Sequence, residues 1–265
     1  MEDRRRVENF DMERTIHFLK QELSKQDPMV LGIGVAVAVV LLTIVFLFIL
    51  ARRKNKRNSV LLVGLCDAGK TLLFSRLVHN KYINSYTSIK ENSGIYQLTG
   101  RKKGALVVID VPGNDRQRMQ FWDRFKNQAR GIIFVVDSAS FQSELKEVAE
   151  FVYTLLSDHI ISQHKLSVLI ACNKQDMTMA KSSKIIQERL EKEMNTLRVS
   201  RAATLGSTDG SSGGEVFLGA RGKEFKFSQL SPVIVEFAEC SAKGTSDEDG
   251  QGELNIVEEW MNRIA

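Results

Sequence analysis

The feature that most constrains the fold is a series of five short apolar runs in the part of the chain after residue 58. They are VLLVGL, ALVVID, GIIFVVD, LSVLIAC and VIVEFAEC, at residues 60–65, 105–110, 131–137, 166–172 and 233–240. Continuous apolar runs of this length are typical of strands in a parallel sheet that is covered on both faces. We therefore predict an α/β domain over residues 59–265 with a mostly parallel, doubly wound sheet. Ligands of such sheets bind at the carboxyl ends of the strands.

A much longer apolar run lies upstream, at residues 29–50. It contains 22 residues, carries no charge and has Thr43 as its one polar side chain. As a helix it would extend about 33 Å, which is enough to cross the hydrocarbon core of a bilayer. A cleaved signal peptide and a buried core helix are the alternatives, but the apolar region of a signal peptide is shorter. We predict a single transmembrane helix over residues 29–51.

Composition excludes several classes of protein. The hydrophobic content of 43% is too high for a disordered chain, and three cysteines are too few for a disulfide scaffold. The net charge of +5 suggests nucleic-acid binding at first, but the hexapeptide RRKNKR at residues 52–57 carries five bases and no acid. Bases beside a span mark its cytoplasmic end. We therefore predict a lumenal segment (1–28), a basic linker (52–58), a cytosolic domain (59–265) and no sequence-specific contact with nucleic acid.

A phosphate-binding motif follows the first apolar run. GLCDAGKT, at residues 64–71, fits the pattern G-x-x-x-x-G-K-[ST] and opens a helical pattern, which is the context that this motif requires. The glycines allow the backbone to wrap around phosphates, Lys70 adds a positive charge, and the hydroxyl of Thr71 can bind Mg²⁺. The nucleotide-binding residues predicted in this region are Gly64, Leu65, Cys66, Asp67, Ala68, Gly69, Lys70, Thr71 and Leu72.

Three further motifs follow the ends of other apolar runs. In DVPG, at residues 110–113, Asp110 can hold Mg²⁺ through water, and Gly113 can offer its N–H to a γ-phosphate. In NKQD, Asp176 can accept the N1–H and amino hydrogens of guanine, a donor pair that adenine lacks. In SAK, the N–H of Ala242 can reach the guanine O6. The residues predicted to bind the base side of the nucleotide are Asn173, Lys174, Asp176, Ser241, Ala242 and Lys243.

Together these motifs resemble a Ras-superfamily G domain, nearest to the Arf and Sar branch, a fold of the P-loop NTPase class. The whole chain is similar to the family of signal recognition particle receptor beta subunits. That similarity covers the N-terminal anchor, the G domain and an insertion between NKQD and SAK, at about residues 198–230. Residues 200–224 are rich in Ser, Gly, Thr and Ala, and we predict that most of them form a mobile insertion.

The resemblance also assigns the first switch and leaves the chemistry of hydrolysis open. The sequence TSI at residues 87–89 resembles switch I, which implies nucleotide contacts from Ser85, Tyr86, Thr87 and Ser88. Thr87, or Ser88 in its place, is implied near Mg²⁺ beside Thr71 and Asp110. Many Ras-like enzymes have Gln where this chain has Asn114, so Asn114 is a weak catalytic candidate. We expect GTP hydrolysis to be slow or dependent on a partner.

The resemblance implies a function for the whole chain. GTP and Mg²⁺ would be its cofactors, and the alpha subunit of the same receptor would be its partner in a heterodimer. The membrane would be that of the endoplasmic reticulum, crossed once, with indirect contact to the ribosome or translocon during cotranslational targeting. Two alternatives stay open: a passive anchor with permanently bound GTP, and a P-loop ATPase or small-molecule kinase. The NKQD motif disfavours the second.

Overall fold

A computed structural model describes residues 36–37, 39–46, 57–86, 88–99, 104–205, 218–220, 222–244 and 252–265. The chain divides into two units, Met1–Lys56 and Arg57–Ala265. In the first unit, residues 36–37 and 39–46 are helical and their side chains are exposed. Among the described residues, no helix combines the length and the apolarity needed to span a bilayer. The predicted lumenal segment, most of the predicted span and most of the basic linker lie outside the described residues.

In the described part of the second unit, six strands form one sheet. They are β1 (Ser59–Val63), β2 (Asn92–Gln97), β3 (Ala105–Asp110), β4 (Ala129–Asp137), β5 (Ser167–Asn173) and β6 (Ile234–Glu239). Their order across the sheet is β2-β3-β1-β4-β5-β6. β2 is antiparallel to β3, and the other neighbours are parallel. The prediction of a mostly parallel α/β sheet is confirmed.

Helices cover both faces of this sheet. They are α1 (Lys70–His79), α2 (Asp115–Phe125), α3 (Phe141–Leu156), α4 (His159–His164), α5 (Ser183–Leu205) and α6 (Asn255–Ile264). Successive strand residues point to opposite faces. Leu61 and Val63 therefore join a core cluster with α2, α3, α4 and α5, whereas Val60 and Leu62 join a second cluster with α1 and α6. Burial on both faces explains why these strands read as unbroken apolar runs.

Each of the five apolar runs coincides with a strand, but the sequence analysis missed β2. Its sequence, NSGIYQ, is mostly polar, and Tyr96 is its one buried residue. β2 lies at the edge of the sheet and pairs on one side only, with β3. An edge strand needs no apolar side chains on both faces, so its sequence carries little of the signal that marks the central strands.

The described residues at both ends of the insertion are attached to helix α5. Helix α5 continues to Leu205, and Leu218, Phe225 and Phe227 are buried in the core beyond it. Buried Arg198 donates hydrogen bonds to the carbonyl oxygens of Leu218 (3.4 Å) and Ala220 (3.1 Å). Residues 200–205 at one end of the stretch 200–224 are therefore helical, and Leu218 nearer the other end is buried. That most of this stretch is mobile stays a prediction. Residues 206–217 and 221 lie outside the described residues.

The two ends of the second unit meet at one side chain. Arg130, at the start of β4, donates from Nη2 to the carbonyl oxygen of Ala265 (2.7 Å) and from Nη1 to that of Arg57 (3.5 Å). Its Nε donates to the carbonyl oxygen of Ile264. This guanidinium joins the beginning and the end of the folded unit at the amino-terminal edge of the parallel strands.

Candidate nucleotide-binding site

The predicted motifs gather at the carboxyl-terminal edge of the sheet. The P-loop follows β1, Asp110 ends β3, Asn173 ends β5, and Ser241 comes just after β6. The phosphate-side part of this edge forms an open cleft. The cleft is lined by Cys66, Asp67, Gly69, Lys70, Thr71, Ser85, Tyr86, Ser88 and Gly113. The position agrees with the general location of ligand sites in open α/β sheets.

Three glycines at the cleft stand where a side chain would not fit. Gly64 has φ +144°, and a Cβ there would lie 2.3 Å from the carbonyl oxygen of Val135. Gly69 has φ +87°, and a Cβ there would lie 2.4 Å from Nδ2 of Asn173. A Cβ on Gly113 would lie 2.6 Å from Nζ of Lys70. The phosphate loop therefore packs directly against β4, the NKQD loop and the DVPG loop.

Lys70 is the first residue of α1 and is buried in the cleft. Its Nζ donates to the carbonyl oxygen of Leu65 at 2.5 Å, within the P-loop itself. Burial lowers the pKa of Lys70, although the negative charge of Asp110 opposes this shift. The ammonium group is therefore held where an anionic ligand of the P-loop would offset its loss of hydration.

Oxygen ligands converge around Asp110. Its Oδ2 accepts hydrogen bonds from Oγ1 of Thr71 (2.8 Å) and Nδ2 of Asn92 (3.1 Å), and Oγ of Ser88 lies 3.0 Å from Oγ1 of Thr71. Asp110 Oδ1 is buried and has no hydrogen-bond partner among the described residues. Burial raises the pKa of Asp110, against the hydrogen bonds from Asn92 and Thr71. Thr87, the other predicted metal ligand, lies outside the described residues.

These atoms fit a magnesium ion. Mg²⁺ prefers oxygen ligands and binds through one or two carboxylates together with water and phosphate. A cation beside Asp110 would give Oδ1 a partner and would favour the charged form of a buried carboxylate. Among the described residues of the predicted switch I, Ser88 places its hydroxyl beside Thr71, which donates to Asp110.

Asn173 connects the phosphate side of the site to the base side. Its Nδ2 donates to the carbonyl oxygen of Ala68 in the P-loop (2.9 Å), and its Oδ1 accepts the N–H of Ala242 in the SAK loop (2.9 Å). Asn173 is 2% exposed. The first of these hydrogen bonds links the NKQD loop to the P-loop. The N–H of Ala242 was predicted to reach guanine O6, but here it bonds to Asn173.

The carboxylate predicted to recognise guanine is held by a neighbouring loop. Ser241 donates from Oγ to Oδ1 of Asp176, and the same Oγ accepts the N–H of Gly244 (2.8 Å). Ser241 is buried, and its loop is paired through backbone hydrogen bonds with Glu253. The position of Asp176 therefore depends on the fold of the SAK loop.

Lys174 has a partner that the sequence analysis did not identify. Its Nζ lies 2.6 Å from Oδ2 of Asp137, the last residue of β4, while Oδ1 of Asp137 accepts the N–H groups of Ala139 and Ser140. Burial acts to raise the pKa of Asp137, but Lys174 and these amides outweigh it and hold that pKa below its usual value. The aspartate stays charged and ties the NKQD loop to the start of α3.

Asn114 has a structural role at the start of α2. It is the N-cap of that helix, and its Oδ1 accepts the N–H of Arg116 at 3.0 Å. A side chain used in this way satisfies one of the otherwise unpaired N–H groups of the first helical turn. Its part in catalysis stays a prediction.

The remaining predicted residues differ in exposure. Leu65 is buried in the core, Leu72 packs against the cluster beneath α1, Lys243 is exposed, and Tyr86 is 89% exposed. Further polar residues, which were not predicted, donate or accept hydrogen bonds at the site from other elements. They are Arg76 of α1, Asn92 of β2, Asp137 of β4 and Gln175 of the NKQD loop. A charged residue inside the apolar pattern TLLFSRLV was the available signal for Arg76.

Comparisons with known proteins identify the family of this chain. The family model for the signal recognition particle receptor beta subunit matches residues 55–234. A mouse protein named signal recognition particle receptor subunit beta is 50% identical over 247 residues, which are 93% of this chain and 91% of that protein. The structure of the mammalian SRP receptor matches with a TM-score of 0.67 and 48% identity, over 78% of this chain and 100% of that one. A structure named SRb-GDP-Mg, from Chaetomium thermophilum, matches with a TM-score of 0.58 and 25% identity, over 78% of this chain and 97% of that one.

Proposed function

The chain belongs to the family of signal recognition particle receptor beta subunits, and from this premise we propose that it binds GTP with Mg²⁺. In that state it holds the alpha subunit of the receptor at the endoplasmic reticulum membrane. The complex then serves the cotranslational targeting of nascent secretory and membrane proteins. Contact with the ribosome or the translocon is indirect, through that complex.

The observation that carries the proposal is the link between the phosphate loop and the base loops. One amide, that of Asn173, bonds to Ala68 and to Ala242, so both halves of a nucleotide site share one support. Asp176 stands beside this link with its carboxylate held by Ser241. A carboxylate there can accept two hydrogen bonds from guanine, whereas adenine presents no matching pair of donors. These contacts support GTP over ATP as the ligand.

Thr71, Ser88 and Asp110 are the residues that would hold Mg²⁺, with Thr87 as a predicted further ligand. The ion, when bound, neutralises charge on the β- and γ-phosphates. Lys70 adds a second positive charge, and the first residues of α1, Lys70 and Thr71, line the same cleft. The chain's own contribution is therefore to place positive and oxygen groups around a triphosphate. The name of the Chaetomium structure, which includes GDP and Mg, supports this assignment.

Membrane attachment rests on the sequence and on the family. The apolar run at residues 29–50 is long enough for one span, and the bases at 52–57 favour a cytosolic position for the domain that follows. We propose a single-pass protein with a lumenal amino terminus. Protease treatment of sealed microsomes tests this topology. Residues after 58 should be digested, and their protection would contradict the orientation.

A passive anchor with permanently bound GTP is the second candidate function. The observation that favours it is Asn114, which stands where many Ras-like enzymes have Gln and caps α2 instead. In this version the nucleotide stabilises the fold, hydrolysis is slow, and no cycle of switching occurs. The two candidates share the binding site and differ in whether the partner senses the nucleotide.

One set of measurements tests both candidates. The full chain is purified in detergent, its bound nucleotide is identified by chromatography, and ATP competes against a fluorescent guanine nucleotide. We expect GTP or GDP in the protein and no competition by ATP at equal concentration. Equal competition would contradict guanine binding. Capture of the alpha subunit before and after removal of the nucleotide then separates the candidates, because a passive anchor binds equally well in both states while it stays folded.

A further inference from the structure

Arg76 is a buried arginine that connects α1 to the SAK loop. It is 8% exposed and lies six positions after Lys70 in the helix that follows the P-loop. Its Nε donates to the carbonyl oxygen of Ala242 (3.1 Å), and Nη2 donates to that of Lys243 (3.4 Å). The guanidinium also packs over the ring of Tyr82, 5.4 Å from its centroid. A buried guanidinium is stable only where acceptors meet its donors, and two of the acceptors here belong to the SAK loop.

These bonds complete a closed ring of interactions through the site. Both backbone groups of Ala242 are held by side chains, since Asn173 accepts its N–H and Arg76 donates to its carbonyl oxygen. Asn173 in turn donates to Ala68 of the P-loop, and the P-loop leads directly into α1, which carries Arg76. The ring therefore passes through three elements that are distant in sequence, and it fixes the SAK loop from two directions.

We propose that Arg76 is a positioning residue for guanine recognition. It acts through Ser241, which precedes Ala242 and holds the carboxylate of Asp176. Without Arg76 the carbonyl oxygen of Ala242 loses its side-chain donor, and Asp176 loses its fixed alignment with the base. The inference rests on the proposed guanine site and adds to it a residue that touches no nucleotide. Lysine does not replace it well, because one ammonium group cannot present the planar fork that reaches two successive carbonyls.

Arg198 provides a matched control. It is also a buried arginine, 6% exposed, and it also donates to two backbone carbonyl oxygens of one segment, those of Leu218 and Ala220. Its bonds hold the insertion against α5 rather than the SAK loop. Removal of either arginine should cost thermal stability, so stability alone does not separate a positioning role from a merely structural one. The preference between two bases does.

The test measures the affinity of the full chain in detergent for GDP and for inosine diphosphate. Inosine lacks the exocyclic amino group from which Asp176 would accept a hydrogen bond. We expect the preference for GDP to fall about tenfold in Arg76→Ala, the value of roughly one hydrogen bond to a charged group. Arg198→Ala should keep the preference of the wild type. Arg76→Lys should lie between, and it serves as the test variant if Arg76→Ala does not fold.

Each outcome decides a different point. An unchanged GDP preference in a folded Arg76 variant overturns the inference, and so does an equal fall in Arg198→Ala. A wild-type chain that binds both nucleotides equally would contradict the proposed guanine site itself, whatever the variants do. A fall confined to the Arg76 variants supports a positioning role, because a general loss of stability would weaken both nucleotides by the same factor.

Discussion

The phosphate side and the base side of the site solve the burial of charge in opposite ways. On the phosphate side, burial lowers the pKa of Lys70 and raises that of Asp110, so both groups are shifted toward their neutral forms. On the base side, Lys174 and nearby amides hold the pKa of Asp137 below its usual value, in spite of burial. Asn173 and Asp176 on that side also have hydrogen-bond partners within the chain.

The difference indicates which part of the site is complete before a ligand binds. The base side is organised by contacts within the chain, so the proposed guanine would find Asn173 and Asp176 already held in place. The phosphate side holds a buried ammonium and a buried carboxylate whose charged forms are costly until phosphate and a cation arrive. Substitutions at five positions, taken from the largest expected effect to the smallest, would break or sharpen this comparison.

The largest effect is expected on the base side, from Asp176→Asn. An amide cannot accept both hydrogen bonds from guanine, and two hydrogen bonds to a charged group correspond to about 4 kcal/mol, or roughly a 1,000-fold change. We expect the preference to move from GTP to XTP by about that factor, measured by nucleotide competition. Asp123→Asn, an exposed aspartate of α2, is the control and should keep the wild-type preference. A retained preference for GTP in Asp176→Asn would remove this residue from base recognition.

The phosphate side is tested by Lys70→Ala. The loss of a buried, charge-assisted contact should weaken GTP binding about 100-fold and leave the ratio of guanine to xanthine affinity unchanged. Equilibrium binding of a fluorescent GTP analogue measures both quantities. Lys81→Ala removes an exposed lysine just after α1 and should change affinity less than about threefold. A change in base preference in Lys70→Ala would mean that the two sides are not independent.

A pair of aspartate substitutions should change stability in opposite directions. Without added Mg²⁺, Asp110→Asn removes a costly buried charge and should stabilise the chain at pH 7 by about 1 kcal/mol, or roughly 3 °C. Asp137→Asn removes a partnered charge and should destabilise it by a similar amount. Thermal unfolding at pH 7 measures both. Destabilisation by Asp110→Asn would contradict the description of the phosphate side.

The pH dependence of the same pair follows from the signs of the shifts. Because the folded pKa of Asp110 is raised above 3.8, its destabilising effect develops as pH rises from 3.8 through that folded pKa. Because the folded pKa of Asp137 is lowered, its stabilising effect is present above pH 3.8 and is lost as pH falls through the folded value. Denaturant unfolding between pH 3 and pH 7 should therefore show the two variants approaching the wild type at the acidic end.

The smallest effect on the nucleotide site is expected from substitutions of Asn114. Asn114→Ala should cost about 1 kcal/mol because it removes the cap of α2, whereas Asn114→Asp keeps an acceptor and should cost much less. Single-turnover hydrolysis of GTP in Asn114→Asp should stay within about threefold of the wild type. A large loss of hydrolysis without a loss of stability would show that Asn114 acts on the reaction, and not only on the helix.

The sequence predicted the parts of this protein whose signal is contiguous. The central strands are buried on both faces and therefore read as apolar runs, and each loop motif is three to eight residues long. The edge strand β2 was not predicted, because a strand that pairs on one side only can keep a polar face and then shows no apolar run. Arg76 and Asp137 escaped for a different reason. Their partners, Ala242 and Lys174, lie 166 and 37 residues away, and only the folded chain brings them together.

The hydrogen bonds of Arg130 have a consequence for the connectivity of the chain. Since this side chain bonds to both Arg57 and Ala265, the backbone of the folded unit is close to a closed loop. A circular permutant, in which a short flexible linker joins those two ends and the chain is reopened in an exposed turn, should therefore keep the same sheet order. In such a molecule a fluorescent label could be attached at termini in a new place. The order of the strands along the chain could then be varied while their order in the sheet stays the same.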